Sequence, residues 1–127
     1  MGFLDKIFGG NQEAAPDKVN WKPLEQTTLD VLEQQSFEKP AVIFKHSTRC
    51  SISRMALKQF DREFDLDDDQ MDLYFLDLLE YRPLSNEIAE RFGVQHESPQ
   101  LLVIKEGKVV YHTSHSGIQA DDLKKWV

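Results

Sequence analysis

The clearest pattern in the sequence is a short apolar run that ends at a polar loop and is followed by a helical period. Residues 41–44 are continuously apolar, as in a strand covered on both faces of a sheet. The loop that follows holds the single cysteine of the chain, Cys50. A helix is predicted to begin at Cys50 or Ser51, because apolar residues then recur every three or four positions. That apolar face, which we expect to pack on the sheet, consists of Ile52, Met55, Ala56, Phe60 and Phe64.

Helices and strands alternate through the rest of the chain. Thr27 or Thr28 can cap a helix that runs to about Gln35 and ends before Pro40. Residues 72–80 form a second apolar strand, and the strand–helix–strand unit predicts a parallel right-handed crossover. The remaining elements are a helix capped by Ser85 and followed by Gly93, strands at 101–104 and 109–112 joined by Glu106-Gly107, and a closing helix at 118–127.

The predicted order of elements, α-β-α-β-α-β-β-α, is that of the thioredoxin fold. We therefore predict an α/β thioredoxin-like three-layer sandwich, in which helices flank a central four-stranded mixed sheet. The predicted domain covers residues 21–127. Residues 1–20 contain Gly9-Gly10 and Pro16 and are expected to form a flexible or loosely docked N-terminal arm.

Composition and charge narrow the classes of function. The 127 residues suffice for one domain, and no apolar run approaches the roughly 20 residues needed to cross a bilayer. Most of the net charge of -7 comes from residues 61–72, which hold seven acidic residues and one basic residue. No basic stripe compensates, so neither nucleic acid nor a membrane is an expected partner. The N-terminal residues lack the pattern of a secretion signal, so the cytoplasm is the expected location.

The setting of Cys50 favours a reactive thiol over an ordinary helix-cap residue, which is the alternative. A single cysteine excludes an intramolecular disulfide and a multi-cysteine zinc site. Backbone N–H groups at a helix start stabilise a thiolate. Ser53, three residues on, can donate a hydrogen bond to that thiolate, but it cannot resolve a disulfide as a second cysteine would. Basic side chains nearby add positive potential: Lys45, His46, Arg49 and Arg54.

A proline precedes the third long strand. Pro99 lacks the N–H that a central ladder needs, so it belongs at a strand end. In a thioredoxin fold this position holds a cis-proline that faces the active cysteine, and the backbone before it offers hydrogen bonds to an extended thiol substrate. We therefore place Ser98 and Pro99 on the groove wall opposite Cys50.

Several segments together resemble the YtxJ-like monothiol bacilliredoxins of the thioredoxin-fold superfamily. They are residues 46–53 (His-Ser-Thr-Arg-Cys-Ser-Ile-Ser), 81–85 (Tyr-Arg-Pro-Leu-Ser), 96–100 (His-Glu-Ser-Pro-Gln) and 114–115 (Ser-His). The resemblance covers about residues 21–126. It implies a link to bacillithiol, a low-molecular-weight thiol built from cysteine, glucosamine and malate. The family often has proline after the cysteine, where this chain has Ser51.

The resemblance also implies a reaction and a set of site residues. Cys50 would attack the bacillithiol sulfur of a bacillithiol–protein mixed disulfide, and free bacillithiol, as co-substrate, would resolve the adduct. Cys50 and Ser53 are then the catalytic residues. The expected partners are bacillithiol and bacillithiolated client proteins, with no tightly bound cofactor. The expected substrate-binding residues are Thr48, Arg49, Arg82, Ser98 and Pro99, and both arginines are candidates for the malate carboxylates.

Two other functions remain open on the sequence. One is a monothiol glutaredoxin-like enzyme that uses another low-molecular-weight thiol, although the Cys-Gly-Phe-Ser loop of those enzymes is absent. The other is a redox-inactive thioredoxin-like module that binds a protein partner. No metal site is expected. His46 is interpreted as a strand-end residue lining the groove rather than as a partner of Cys50, and the other histidines and the acidic turn lack the spacing of ligands.

Overall fold

The computed structural model describes residues 21–47, 49–64, 66 and 70–126 of the chain. Five strands and three α-helices lie within these ranges. The strands are β1 (Lys22–Pro23), β2 (Ala41–His46), β3 (Asp72–Asp77), β4 (Gln100–Lys105) and β5 (Lys108–Ser114). The α-helices are α1 (Leu29–Gln35), α2 (Ser51–Glu63) and α3 (Arg82–Phe92), and 3-10 helices cover Leu24–Gln26, His115–Gly117 and Ala120–Trp126.

The strands form one mixed sheet in the order β1-β3-β2-β4-β5. Strand β2 is central, and it pairs in parallel with β3 and antiparallel to β4. Helix α2 connects β2 to β3, so these three elements form the parallel crossover predicted from the sequence. Every residue of β2 is buried, as expected for a central strand covered on both faces.

Two apolar clusters lie on opposite faces of the sheet. Successive residues of a strand point to opposite faces, so Phe44 and Ile43 belong to different clusters. Phe44 packs with Phe60 of α2. Ile43 packs with Leu32 of α1 and Ile88 of α3. Helices therefore cover both faces of the sheet, which confirms the predicted three-layer sandwich.

Local signals define two of the helix ends as predicted. The side-chain oxygen of Thr28 accepts a hydrogen bond from the Val31 N–H (3.1 Å) at the start of α1. Gly93 follows α3 with φ at 69°, a left-handed conformation that glycine adopts without the steric cost of a Cβ. These two positions stop each helix from extending further.

The sheet has five strands rather than the four predicted. The additional strand is β1, whose residues Lys22 and Pro23 pair in parallel with Tyr74 and Phe75. Because β1 lies at the edge of the sheet, the missing N–H of its proline removes no ladder hydrogen bond. A strand of two residues is too short to show an alternating pattern, so the hydrophobic periodicity could not predict it.

Two predicted helix boundaries are also wrong. Ser85 does not cap α3, because the helix begins at Arg82 after Tyr81, and Ser85 is buried within it. The closing helix is a 3-10 helix over Ala120–Trp126 rather than a longer helix over 118–127. In both cases the apolar pattern located the element but not its details. For α3 the pattern missed the first residue, and for the closing helix it missed the 3-10 hydrogen bonding.

Within the described ranges, none of the helices combines the length and the apolar character required to cross a membrane. The predicted N-terminal arm, residues 1–20, lies outside the described residues, and so do Asp65 and residues 67–69 of the acidic turn.

Candidate active site

Cys50 is the residue that immediately precedes helix α2. Its backbone is extended (φ -103°, ψ 121°), its N–H donates to the Ser47 carbonyl (3.1 Å), and its own carbonyl accepts from the Arg54 N–H (3.1 Å). The side chain is partly exposed and makes no capping hydrogen bond. The thiol therefore stands at a helix start where backbone N–H groups lack helical partners, which is a setting that stabilises a thiolate.

The loop before β4 reaches the same end of the sheet as Cys50. Strands β2 and β4 are antiparallel and Lys45 pairs with Gln100, so the end of β2 and the beginning of β4 are adjacent. The Ser98-Pro99 peptide bond is cis, the isomer expected for a thioredoxin fold. Ser98 Oγ is buried and has no hydrogen-bond partner among the described residues. The structure thus places this loop at the sheet end that holds Cys50, and its contact with substrate stays a prediction.

Ser53 lies on the buried side of α2, and its hydroxyl group is held by two neighbours. Ser53 Oγ accepts a hydrogen bond from the Ser47 N–H (3.0 Å) and lies 2.7 Å from Nδ1 of His46. The exposed fraction is 0% for Ser53 and 5% for His46. The sequence predicts a hydrogen bond from Ser53 to Cys50, whereas the bonds within the described residues go to Ser47 and His46.

His46 is the last residue of β2 and lines the groove along α2, as predicted, and its side chain is buried. It lies two residues after Phe44 in β2 and therefore on the same face of the sheet as α2. Its ring packs against Phe75 with 5.3 Å between the ring centroids. Burial lowers the pKa of His46 below its ordinary value of 6.5, Asp77 raises it, and Arg54 lowers it. The imidazole is therefore mainly neutral at pH 7.

Lys45 points to the opposite face of the sheet, where it is also buried. Its Nζ donates a hydrogen bond to the Ser85 carbonyl (3.2 Å) and lies 3.3 Å from Nδ1 of His96. Burial lowers the pKa of Lys45 from 10.5 to about 8, so the amine is still mostly protonated at pH 7. Because an ammonium group can only donate, Nδ1 of His96 accepts, and the ring proton of His96 is on Nε2.

The pKa of His96 is lowered by burial first and then by the positive charges of Lys45 and Arg82, while Glu97 raises it. A neutral His96 with its proton on Nε2 is thus a hydrogen-bond donor in the loop that precedes Pro99. Sequence reasoning did not assign this cluster. A lysine at the end of a continuously buried strand is the signal that could have revealed it, because a buried charge needs polar partners.

The two predicted carboxylate-binding arginines are both exposed. Arg49 directly precedes Cys50, and Arg82 begins α3 a few residues after β3 ends. Since β2 and β3 are parallel, the segments that follow them lie at the same end of the sheet. The structure therefore places both arginines at the end that holds Cys50, whereas Thr48 lies outside the described residues. Contacts of these residues with substrate stay predictions.

A groove of about 430 Å³ runs along α2. The prediction that Ile52 and Met55 pack on the sheet is wrong, because their exposed fractions are 55% and 69%. Ala56 and Phe60 are buried as predicted, and the third buried position of α2 is Ser53. Ser53 makes two hydrogen-bond contacts on this buried side, and the two larger apolar residues lie outside it. The groove is lined by His46, Ser51, Arg54, Met55, Leu57, Lys58 and Asp61.

In the part of the chain that the structure describes, no three side chains of His, Cys, Asp or Glu are grouped as a metal site would need.

Comparisons with known proteins agree with this arrangement. Residues 22–123 match the family model of the monothiol bacilliredoxin BrxC. A solved structure proposed to be an oxidoreductase with a thioredoxin fold is 35% identical, with 77% of this chain and 87% of that chain aligned and a TM-score of 0.63. Thioredoxin from Malassezia sympodialis is 16% identical over 89% of this chain and 92% of its own, with a TM-score of 0.62. Spinach chloroplast thioredoxin f is 20% identical over 89% and 93%, with a TM-score of 0.59. The two thioredoxins support the fold alone.

Proposed function

Because this chain belongs to the monothiol bacilliredoxin family, we propose that it removes bacillithiol from modified client proteins through the thiol of Cys50. The family and the fold indicate a protein of the thiol oxidoreductase type. We propose in addition that bacillithiol is the substrate thiol and that the protein acts in the cytoplasm.

The first half-reaction transfers bacillithiol from the client to Cys50. The Cys50 thiolate attacks the bacillithiol sulfur of the mixed disulfide, a bond between these two sulfurs forms, and the client sulfur leaves as a thiolate. The helix start supports this step because its N–H groups stabilise the attacking anion before reaction.

The second half-reaction needs a thiol from solution. Cys50 is the only cysteine in the chain, and the position of a second cysteine three residues later is occupied by Ser53. A free bacillithiol thiolate therefore attacks the bacillithiol sulfur of the adduct, and the Cys50 thiolate leaves. The products are oxidised bacillithiol and the regenerated enzyme, so the client is reduced at the expense of a second bacillithiol.

The observation that carries this proposal is the position of a partly exposed thiol at the start of α2, at the sheet end where the cis Ser98-Pro99 loop also lies. Two positive side chains lie at that end. Arg49 and Arg82 are exposed there, and His96 offers an N–H, which together suit the anionic malate of bacillithiol. The groove beside α2 and the exposed Met55 offer an apolar surface for the client protein.

The test is the release of bacillithiol from a model protein modified at one cysteine. We expect the native chain to release it when free bacillithiol is present, and to form a Cys50 adduct detected by mass spectrometry when free bacillithiol is absent. The Cys50→Ser variant should do neither. Lys108→Ser, an exposed position at the start of β5, is the matched control and should retain full activity.

A parallel assay with the same protein modified by glutathione tests the choice of substrate. Faster release of glutathione than of bacillithiol would favour a glutaredoxin-like enzyme instead. Equal rates for the native chain and Cys50→Ser would show that the thiol is not used, and would leave the binding-module function as the better explanation.

A further inference from the structure

The contact between Ser53 and His46 connects the start of α2 to a buried titratable group. Ser53 Oγ is 2.7 Å from Nδ1 of His46, and it also accepts the Ser47 N–H at 3.0 Å. Both side chains are almost fully buried. Bulk water is therefore a poor competitor for the serine hydroxyl, and its proton must point to one of few partners.

The protonation of Nδ1 decides which partner the hydroxyl proton has. A serine hydroxyl has one proton to donate and two lone pairs that accept. If Nδ1 lacks a proton, Ser53 donates to it, and one lone pair stays available. If Nδ1 bears a proton, the lone pairs of Ser53 Oγ accept from His46 and from Ser47, and the hydroxyl proton is released to a third partner.

Cys50 is the candidate third partner because of its place at the helix start. Cys50 is the capping residue of α2 and Ser53 is the third helical residue, the spacing at which the two side chains of a capping box interact with each other's backbone. No hydrogen bond between Cys50 Sγ and Ser53 Oγ is formed within the described residues. This contact is thus absent from the described geometry and belongs to the proposal.

We propose that Ser53 is a proton relay between Cys50 and His46, with His46 as a positioning residue that sets the direction of the hydroxyl. In the thiol state, Cys50 S–H donates to Ser53 Oγ, and Ser53 O–H donates to Nδ1. The thiol proton passes to Ser53 Oγ while the serine proton passes to Nδ1. The products are a thiolate and a histidine protonated at Nδ1, and the serine hydroxyl is unchanged.

The charges around His46 suit an acceptor of this kind. Asp77 at the end of β3 favours the protonated ring, while Arg54 of α2 and burial oppose it. Lys58 and Asp61 of α2 line the outer part of the same groove, and the rings of Phe44 and Phe75 pack on the imidazole without adding charge. The ring therefore rests neutral and gains a proton only when a nearby anion forms.

The inference rests on the proposed function only in taking Cys50 as the reacting thiol, and its test uses no bacillithiol. Nitrogen NMR of the full chain reports which ring nitrogen of His46 bears the proton, and His46→Asn assigns the signals. At about pH 9, above the usual thiol pKa of about 8.5, the free protein should have the proton on Nδ1. After alkylation of Cys50 with iodoacetamide, the hydroxyl returns to Nδ1 and the ring proton should move to Nε2.

The Ser53→Ala variant shows whether the hydroxyl transmits this change. We expect the same tautomer before and after alkylation in Ser53→Ala. Cys50→Ala, which keeps Ser53 and His46, should show the tautomer of the alkylated protein and serves if Ser53→Ala does not fold. A His46 tautomer that is unchanged by alkylation in the native chain, or a switch that persists in Ser53→Ala, would overturn the relay. Loss of bacillithiol release with an intact switch would instead count against the proposed function alone.

Discussion

Because the amine of Lys45 is buried, its effect on the stability of the protein can be predicted from the structure. Replacing Lys45 with methionine keeps a long unbranched side chain but removes the charge from the α3 face of the sheet. The Ser85 carbonyl and Nδ1 of His96, at 3.2 and 3.3 Å from Nζ, then each lose one hydrogen-bond donor. Each keeps a second one, because the carbonyl also accepts within α3 and Ser85 Oγ lies 3.1 Å from Nδ1. At about 0.5–1.5 kcal/mol for each hydrogen bond, the loss of these two costs about 1–3 kcal/mol.

The stability gained by removing the charge of Lys45 depends on pH. In the unfolded chain Lys45 keeps its proton up to its ordinary pKa of 10.5, whereas in the folded chain its pKa is about 8. Below pH 8 both states are protonated, and the folded state bears the full cost of the buried charge. At about 1.4 kcal/mol for each pH unit between these two values, that cost is about 3 kcal/mol.

The sign follows from proton binding. Between pH 8 and 10.5 the unfolded chain binds more protons at Lys45 than the folded chain does, so this group makes the native protein more stable as pH rises. Lys45→Met lacks the effect. At pH 7 the variant should therefore be as stable as the native chain or up to about 2 kcal/mol more stable. By about pH 10 it should be the less stable of the two.

Urea unfolding followed by tryptophan fluorescence, at pH 7, 8, 9 and 10, measures this difference. Burial raises the pKa of all three tyrosines, Tyr74, Tyr81 and Tyr111, above the ordinary value in the folded protein, but this effect is common to both proteins and cancels in the comparison. Lys108→Met, at an exposed position of β5, is the control and should follow the native curve. A difference in unfolding free energy between Lys45→Met and the native chain that stays constant from pH 8 to 10 would refute the reasoning.

Three further substitutions test other parts of the structure. Ser36→Ala should lower the unfolding free energy by about 1–3 kcal/mol in the same urea assay, because buried Ser36 Oγ accepts the Gly107 N–H at 2.8 Å; no loss would mean that water replaces the hydroxyl. Gly93→Ala should cost about 1–2 kcal/mol from its φ of 69° alone, since an added Cβ meets nothing within 4 Å, and Gly93→Asn should cost less. Arg82→Ala should reduce kcat/KM for bacillithiol release about three- to tenfold, mainly at low salt. The control is Arg62→Ala, at the far end of α2. An equal loss of kcat/KM in this control would exclude a specific role for Arg82.

The elements of this fold that could be predicted are those with a repeated local signal. The apolar run in β2, the cap at Thr28 and the left-handed Gly93 each mark an element or its end by a rule that acts over a few residues. Strand β1 could not be predicted because its two residues are defined by pairing with β3, a contact about 50 residues away in the chain. The closing 3-10 helix packs with residues of β2 and α2, and such contacts between distant segments are also absent from a local pattern.

Some parts of the candidate site could likewise be predicted from the sequence, and others could not. The position of Cys50 before a helix and of Pro99 before a strand follows from short motifs, and the cis bond follows from the fold that the order of elements predicts. The rotation of α2 does not follow, because hydrophobicity alone favours burial of Ile52 and Met55. The buried side of α2 includes Ser53, which makes two polar contacts there. Hydrogen bonds between distant segments leave no periodic trace in a sequence, so the partners of Lys45 and His46 needed the structure.

Lys45 and His46 are adjacent, and the alternation of a strand sends them to opposite faces at the sheet end that holds Cys50. A buried charge that costs about 3 kcal/mol is a large share of the roughly 5–15 kcal/mol that stabilises a domain. Packing does not require it, because methionine has a similar shape and no charge. The lysine does fix the proton of His96 on Nε2. The same charge adds positive potential at the end of the sheet where a thiolate and an anionic substrate would meet. If the proposed function holds, the buried charge of Lys45 therefore lowers stability but supplies the candidate site with an oriented hydrogen-bond donor, His96, and a positive potential.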